Sequence, residues 1–262
     1  MTNKRAYNYQ INTQHIDFQK NVTLSSLFHL IMKTAGTDAD NNGFGVLKLQ
    51  SEDFTWVLSR FVLDMERFPQ EDEKITIETW IEDVNRIFTT RNFAIRNGNS
   101  EIIGYATSSW AVIDIKTRQS VQLDNMPELN DFVLNESTPL GGTTRIAGVE
   151  GEVANTFRVK YSHIDVNRHA SSPYYIQWIA NCFPLEFYET HRLKRFEINF
   201  LREVTFGDTG EVFREEVAEN DYYFQISTKE KGISGMLRML FVEQFCFIVA
   251  GLYGFRVKRS VK

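Results

Sequence analysis

The chain of 262 residues contains one unit written twice. Near its start it reads Tyr9-Gln10-Ile11, then His15-Ile16-Asp17, then an apolar stretch of helical period. The same order returns as Phe157-Arg158-Val159, His163-Ile164-Asp165 and a second helical stretch, with identical spacing from aromatic residue to aspartate. Arg60-Phe61 and Arg195-Phe196 follow the two helices, each with a further arginine seven residues on, Arg67 and Arg202. Gly104 precedes Trp110 by six residues, as Gly235 precedes Phe241. Each match is cheap alone; several in one order define two homologous halves.

Both halves have one coarse layout, a short strand, a helix, then strands. The first helix is expected at about Leu24 to Thr37, where Leu24, Leu27, Phe28, Ile31 and Ala35 share a face. The second is expected at about Tyr174 to Tyr188, with Ser172-Pro173 supplying an N-cap and a proline at the first helical position. Each Arg-Phe pair is read as opening a strand. Ile75, Ile77 and Thr79 alternate with Thr76 and Glu78; Phe93 to Arg96 and Ala106 to Ile115 are rich in strand formers, and Asn97-Gly98 marks a hairpin. Helix followed by antiparallel strands indicates an α+β protein with each helix on a curled sheet. Asn125 to Gly151 is rich in Pro, Gly, Ser, Thr and Asn, a linker over the surface. The division is therefore 1–130, a linker 131–150, 151–244 and an extension 245–262.

Composition closes off several classes. An apolar content of 42% with 24% charged residues is that of an ordinary globular protein. The two cysteines, Cys182 and Cys246, belong to no CxxC pair or Cys/His cluster, so neither a disulfide framework nor a metal site is expected. A net charge of −5 argues against nucleic acid as a partner. The polar start, Met1 to Tyr9, has no secretion signal, and the apolar run Phe245 to Phe255 is shorter than the ~20 residues that span a bilayer. A cytoplasmic protein without stable membrane insertion is expected.

Asp165-Val166-Asn167-Arg168-His169 stands just ahead of the second helix. In an extended segment Asp165, Asn167 and His169 project to one side. The free N–H groups of the helix start favour a polarised carbonyl oxygen beside them. The first half has Asp17, Gln19 and Asn21 at these positions, keeping the aspartate and lacking the histidine. A second reading stands beside this one: a turn whose Asp and Asn bond their own backbone, with His at the helix cap.

Asp165-x-Asn167-x-His169 followed by Tyr174-Tyr175-Ile176-Gln177-Trp178-Ile179 resembles the active-site motif of the acyl-acyl-carrier-protein thioesterases of plant plastids and bacteria. Gly43-Phe44-Gly45, Trp56-Val57-Leu58-Ser59-Arg60, Arg67-Phe68-Pro69, Thr79-Trp80, Arg91 and Ala106-Thr107-Ser108-Ser109-Trp110 fall in the family's order, from about Tyr7 to Gln244. The resemblance implies a tandem (double) hot-dog fold, two long helices each cradled by an antiparallel sheet in an internal pseudo-dimer. It implies hydrolysis of acyl thioesters in fatty acid biosynthesis, with no metal or organic cofactor. Family members often carry Glu-Cys in an Arg-Glu-Cys run; here it reads Arg202-Glu203-Val204, which keeps the acid and lacks the thiol. The departure favours direct attack by water, with Glu203 or Asp165 as base and Asn167 and His169 positioning water or thioester.

The resemblance places the acyl chain largely in the first half, with Trp56, Trp80, Phe88, Trp110 and Arg91 as candidate contacts, although ordinary core is the better reading for any one of the rings. Acyl carrier protein, acidic in the family, is the expected substrate carrier, with acyl-CoA as a second candidate and a monomer or homodimer as the assembly. Arg86, Arg91 and Arg96, or Arg192, Lys194 and Arg195, are candidates for a basic docking patch. The apolar extension beyond Gln244, a departure from the family, is expected to add a packed element. Two rivals remain: a hot-dog hydratase or dehydratase, whose motif spaces Asp, Asn and His one residue wider, and a non-catalytic acyl-thioester binder.

Overall fold

The computed structural model describes residues 3–243; the extension 245–262 lies outside the described residues. The first half builds β1 (Arg5–Gln10), α1 (Leu24–Asn41), a short α2 (Val46–Gln50), β2 (Phe54–Met65), β3 (Lys74–Val84), β4 (Thr89–Arg96) and β5 (Ile102–Asp114). The second repeats the order as β6 (Glu152–Arg158), α3 (Ser172–Ala180), α4 (Leu185–Thr190), β7 (His191–Phe200), β8 (Thr209–Ala218), β9 (Asp221–Thr228) and β10 (Gly232–Glu243). All ten strands join one antiparallel sheet in the order β1-β3-β4-β5-β2-β7-β10-β9-β8-β6, which reads alike from either end once the halves are exchanged.

The seam is the β2·β7 pair. Phe61 lies opposite Ile198, Val62 opposite Glu197 and Leu63 opposite Phe196. Phe61 and Phe196 are equivalents in the repeat, so a pseudo-twofold axis passes between Val62 and Glu197. Even the register breaks correspond: Leu58 faces Trp110 beside a bulge in one half, and Leu193 faces Phe241 beside a bulge in the other. The Arg-Phe pairs therefore sit mid-strand and do not open strands. Thr55-Trp56-Val57, with two β-branched residues and an aromatic, carries β2 back to Phe54.

Leu27, Phe28 and Ile31 of α1, Ile176 and Ile179 of α3, and Phe61, Phe196 and Phe224 of the sheet belong to a single buried cluster. Phe28 meets Phe61 edge-on at 4.9 Å, and Phe61 lies 6.3 Å from Phe196 across the seam. The two halves thus share a core.

The helices differ from expectation. Helix α1 runs four residues beyond Thr37, to Asn41, because Asp38 and Ala39 remain on its buried face. The second helix is interrupted: α3 ends at Ala180, and Pro184 stands as the N-cap of α4. Proline lacks an N–H and disfavours helix at the residue before it, so one helix to Tyr188 cannot form. The cap position is Ser171, and Pro173 is the second helical residue.

The segment from β5 to β6 crosses one face of the sheet. The Trp80 indole donates to the Glu136 carbonyl (2.6 Å), the hydroxyls of Thr107 and Thr138 pair (3.0 Å), and the Ile146 N–H donates to Asn199 Oδ1 (2.8 Å). It thereby ties β3 and β5 of the first half to β7 of the second.

Candidate active site

The turn ahead of α3 is built by its aspartate. Asp165 Oδ1 accepts the N–H groups of Asn167 (2.8 Å) and His169 (3.2 Å), and the Asp165 N–H donates to the His169 carbonyl (2.9 Å). Arg168 takes a left-handed backbone, φ 64°. The turn ahead of α1 is the same object: Asp17 Oδ1 accepts from Gln19 (2.9 Å) and Asn21 (3.0 Å), and Lys20 has φ 65°. Asp165 is therefore a turn-former in both readings of the motif, and its Oδ1 is committed to backbone in a half with or without the histidine.

What differs is attached to the turn. The Ala170 N–H donates to the Val204 carbonyl (2.7 Å) and His169 bridges Thr205, which draws the β7–β8 loop alongside. Glu203 then reaches His169, with Oε2 3.1 Å from Nε2. In the other half the corresponding pairings are Val22 with Pro69 and Asn21 with Gln70. Phe68 consequently occupies the place of Glu203, and Asn21 that of His169. One turn carries acid and imidazole; its twin carries a benzyl ring and an amide.

Two residues from the first half complete the cluster. Arg118, just beyond β5, ion-pairs with Glu203 Oε1, and Gln50 at the end of α2 donates to Asn167 Oδ1 (3.4 Å). Neither belongs to any motif in the sequence; only the fold brings them across.

The two helix starts also differ. Thr23 caps α1 by accepting the Ser26 N–H (3.1 Å), whereas the Ser171 side chain makes no such bond on α3. Pro173 has no N–H, which leaves the Ser172 N–H as a helix-start donor that no side chain caps.

No thiol joins the cluster among the described residues. Val204 is fully buried in the common core, facing away from Glu203. Cys182 donates to the Trp178 carbonyl (3.5 Å), and burial pushes its thiol up to about 11, where it stays protonated and inert.

Trp56, Arg91 and Trp110 converge with Met32 and Gly36 of α1 on a cavity of about 160 Å³ in the first half. Trp80 and Phe88 do not line it. Because Thr79 and Ile81 face the helix, Trp80 between them points to the opposite face, under the crossing segment and below Lys4 (3.9 Å). Arg91 is buried against Asp38 (2.6 Å) and belongs to no surface patch. The other expected docking cations are largely matched by acids: Arg96 by Glu78, Lys194 by Asp64 and Glu66, and Arg195 by Glu197. A larger cavity, about 830 Å³, lies elsewhere, against the Asp17 turn.

Residues 2–129 match the acyl-ACP thioesterase N-terminal domain and residues 147–236 the C-terminal domain. The chain belongs to the acyl-ACP thioesterase family. Among solved acyl-ACP thioesterases, one from Bacteroides thetaiotaomicron superposes with TM-score 0.87 at 33% identity, covering 92% of this chain and 98% of that one. The 12:0-ACP thioesterase from Umbellularia californica shares the fold at 16% identity, TM-score 0.83, over 93% and 99% of the two chains. Curated relatives include an Arabidopsis thaliana oleoyl-acyl carrier protein thioesterase, 22% identical over 74% of this chain, and a Gossypium hirsutum palmitoyl-acyl carrier protein thioesterase, 24% identical over 76%. Both are named chloroplastic, and the chain spans only 58% and 51% of their lengths. No helix among the described residues is long and apolar enough to cross a membrane.

Proposed function

We propose that the protein hydrolyses fatty acyl thioesters of acyl carrier protein by direct attack of water, releasing free fatty acid for lipid metabolism. The observation that carries this reading is the contact of Glu203 with His169 at an uncapped helix start, on one of two turns of the same backbone form.

Glu203 is the general base. Arg118 and His169 each engage one of its oxygens, and each oxygen keeps a lone pair for water. Asp165, already accepting two backbone N–H groups, holds the turn and is the weaker candidate. The water oxygen bonds to the thioester carbonyl carbon as Glu203 takes its proton. The oxyanion forms beside the Ser172 N–H, with Asn167 and His169 orienting the reactants. When the carbonyl re-forms, the C–S bond breaks and the sulfur leaves with the proton from Glu203. The acyl chain enters the first-half cavity between Gly36, Trp56 and Trp110, where each buried CH₂ contributes ~0.8 kcal/mol. Arg168 in the turn and Arg202 beside Glu203 supply positive charge for an acidic carrier.

Thiol release from acyl carrier protein substrates of graded chain length tests the reading. Glu203→Gln and His169→Ala should each lower kcat by about 10²–10⁴-fold, the usual contribution of positioned acid–base groups. Near-normal turnover in both, or formation of enoyl absorbance in place of free thiol, would reject it.

A further inference from the structure

The 830 Å³ cavity faces the wrong turn for catalysis. Three of its wall residues are nevertheless the pseudo-symmetric counterparts of residues that line the first-half cavity. Counting from the seam, His191 stands where Trp56 stands and Leu193 where Leu58 stands. Phe241, opposite Leu193, is the counterpart of Trp110, opposite Leu58. Ala180 of α3 occupies the place of Met32 of α1, nine residues after each cap. Ala180, His191, Leu193 and Phe241 all line the larger cavity, and Met32, Trp56 and Trp110 line the smaller. Two tryptophans and a methionine have given way to smaller side chains, which contributes part of the greater volume. At about 830 Å³ the cavity lies within the ~300–1,000 Å³ typical of small-molecule sites.

Its polar end repeats the turn without the chemistry. Gln19, Asn21 and Gln70 border it, and the Gln70 amide donates to Asn21 Oδ1 (3.4 Å). Phe68 replaces the base and Thr23 has closed the helix start. A carbonyl or carboxyl group can be hydrogen-bonded there; of the acids that border the cavity, Asp17 is committed to its own turn and Glu73 is paired with Arg67.

We propose that this cleft is a second acyl site, which holds one fatty acyl chain, as acid or thioester, without turning it over. The proposal rests on the acyl-thioester reading of the first-half cavity. It gives the duplicated fold one reacting and one retaining site, so that the enzyme carries bound substrate or product beside its active centre.

The test is binding stoichiometry on the full chain carrying Glu203→Gln, titrated calorimetrically with palmitate in one arm and palmitoyl-pantetheine in the other. Two equivalents are expected in at least one arm, and the arm identifies the headgroup. Ala180→Phe, which fills the cleft, should leave one equivalent; placed in the otherwise unmodified enzyme, it should leave kcat/KM for dilute substrate within about twofold. Leu185→Glu, at a rim position that is 56% exposed, should weaken the second equivalent by about tenfold without disturbing the core and decides the matter if Ala180→Phe does not fold. A single equivalent before any cleft substitution, or two undiminished equivalents in both cleft variants, overturns the proposal. One equivalent with normal thiol release removes this site and leaves the hydrolase; two equivalents without thiol release do the reverse.

Discussion

Asp17 and Asp165 do the same structural work in two turns of opposite fate. Each accepts two N–H groups within its own turn, and only the second turn holds a histidine within reach of an acid. Asp17→Ala and Asp165→Ala should therefore lower stability by similar amounts, about 1 kcal/mol each, as loss of a capping side chain does. Only Asp165→Ala should reduce turnover. Chemical denaturation of both variants beside thiol-release rates checks this, and a collapse of activity in Asp17→Ala would show that the turns are not separable. At this scale much of the site was legible. Asp165, Asn167 and His169 follow from one motif, and Glu203 from the Arg-Glu run after the second helix. Gln50 and Arg118 were not, because they lie 117 and 85 residues from their partners and come from the other half. Trp80 proves to be core, one of the two readings open to it, and its parity is legible: with Ile75, Ile77 and Thr79 facing the helix, residue 80 must face away.

Among the elements, α1 carries an anomaly that reads as function. Gly36 lies in the interior of an 18-residue helix, where glycine costs roughly 0.5–1 kcal/mol relative to alanine. A Cβ built there meets nothing within 4 Å, and the residue lines the first-half cavity proposed for the acyl chain. The space is therefore kept open by a missing side chain. Gly36→Ala should raise stability by up to about 1 kcal/mol, while Gly36→Leu should occupy the cavity and move preference toward shorter acyl chains. A chain-length profile measured for the parent and both variants decides; an unchanged profile in Gly36→Leu would place the acyl chain elsewhere. The helical pattern fixed the start of α1 well because apolar period and cap coincide there. It failed at α3, where the apolar residues continue in phase past Asn181 while Pro184 forbids the hydrogen bonds a continuous helix needs.

For the whole molecule, duplication could have produced two bodies on a tether, and length alone would favour stepwise unfolding. The packing opposes that. Phe61 and Phe196 meet across the seam, α1 and α3 share a buried cluster, and the crossing segment bonds to strands of both halves. Neither half can open without exposing the core of the other, so unfolding should proceed in a single transition. The tryptophans allow a direct reading, since Trp56, Trp80 and Trp110 report on the first half and Trp178 on the second. With Trp178 replaced by Phe in one protein, and the other three replaced in another, the fluorescence midpoints in urea, each referred to the far-ultraviolet dichroism of its own variant, should coincide. Phe196→Ala at the seam should then lower both midpoints together, by a loss of about 3–5 kcal/mol. A seam variant that shifts the Trp178 signal while the other three tryptophans hold would mean that the halves stand independently, and that Gln50 and Arg118 reach the second half's turn only by docking.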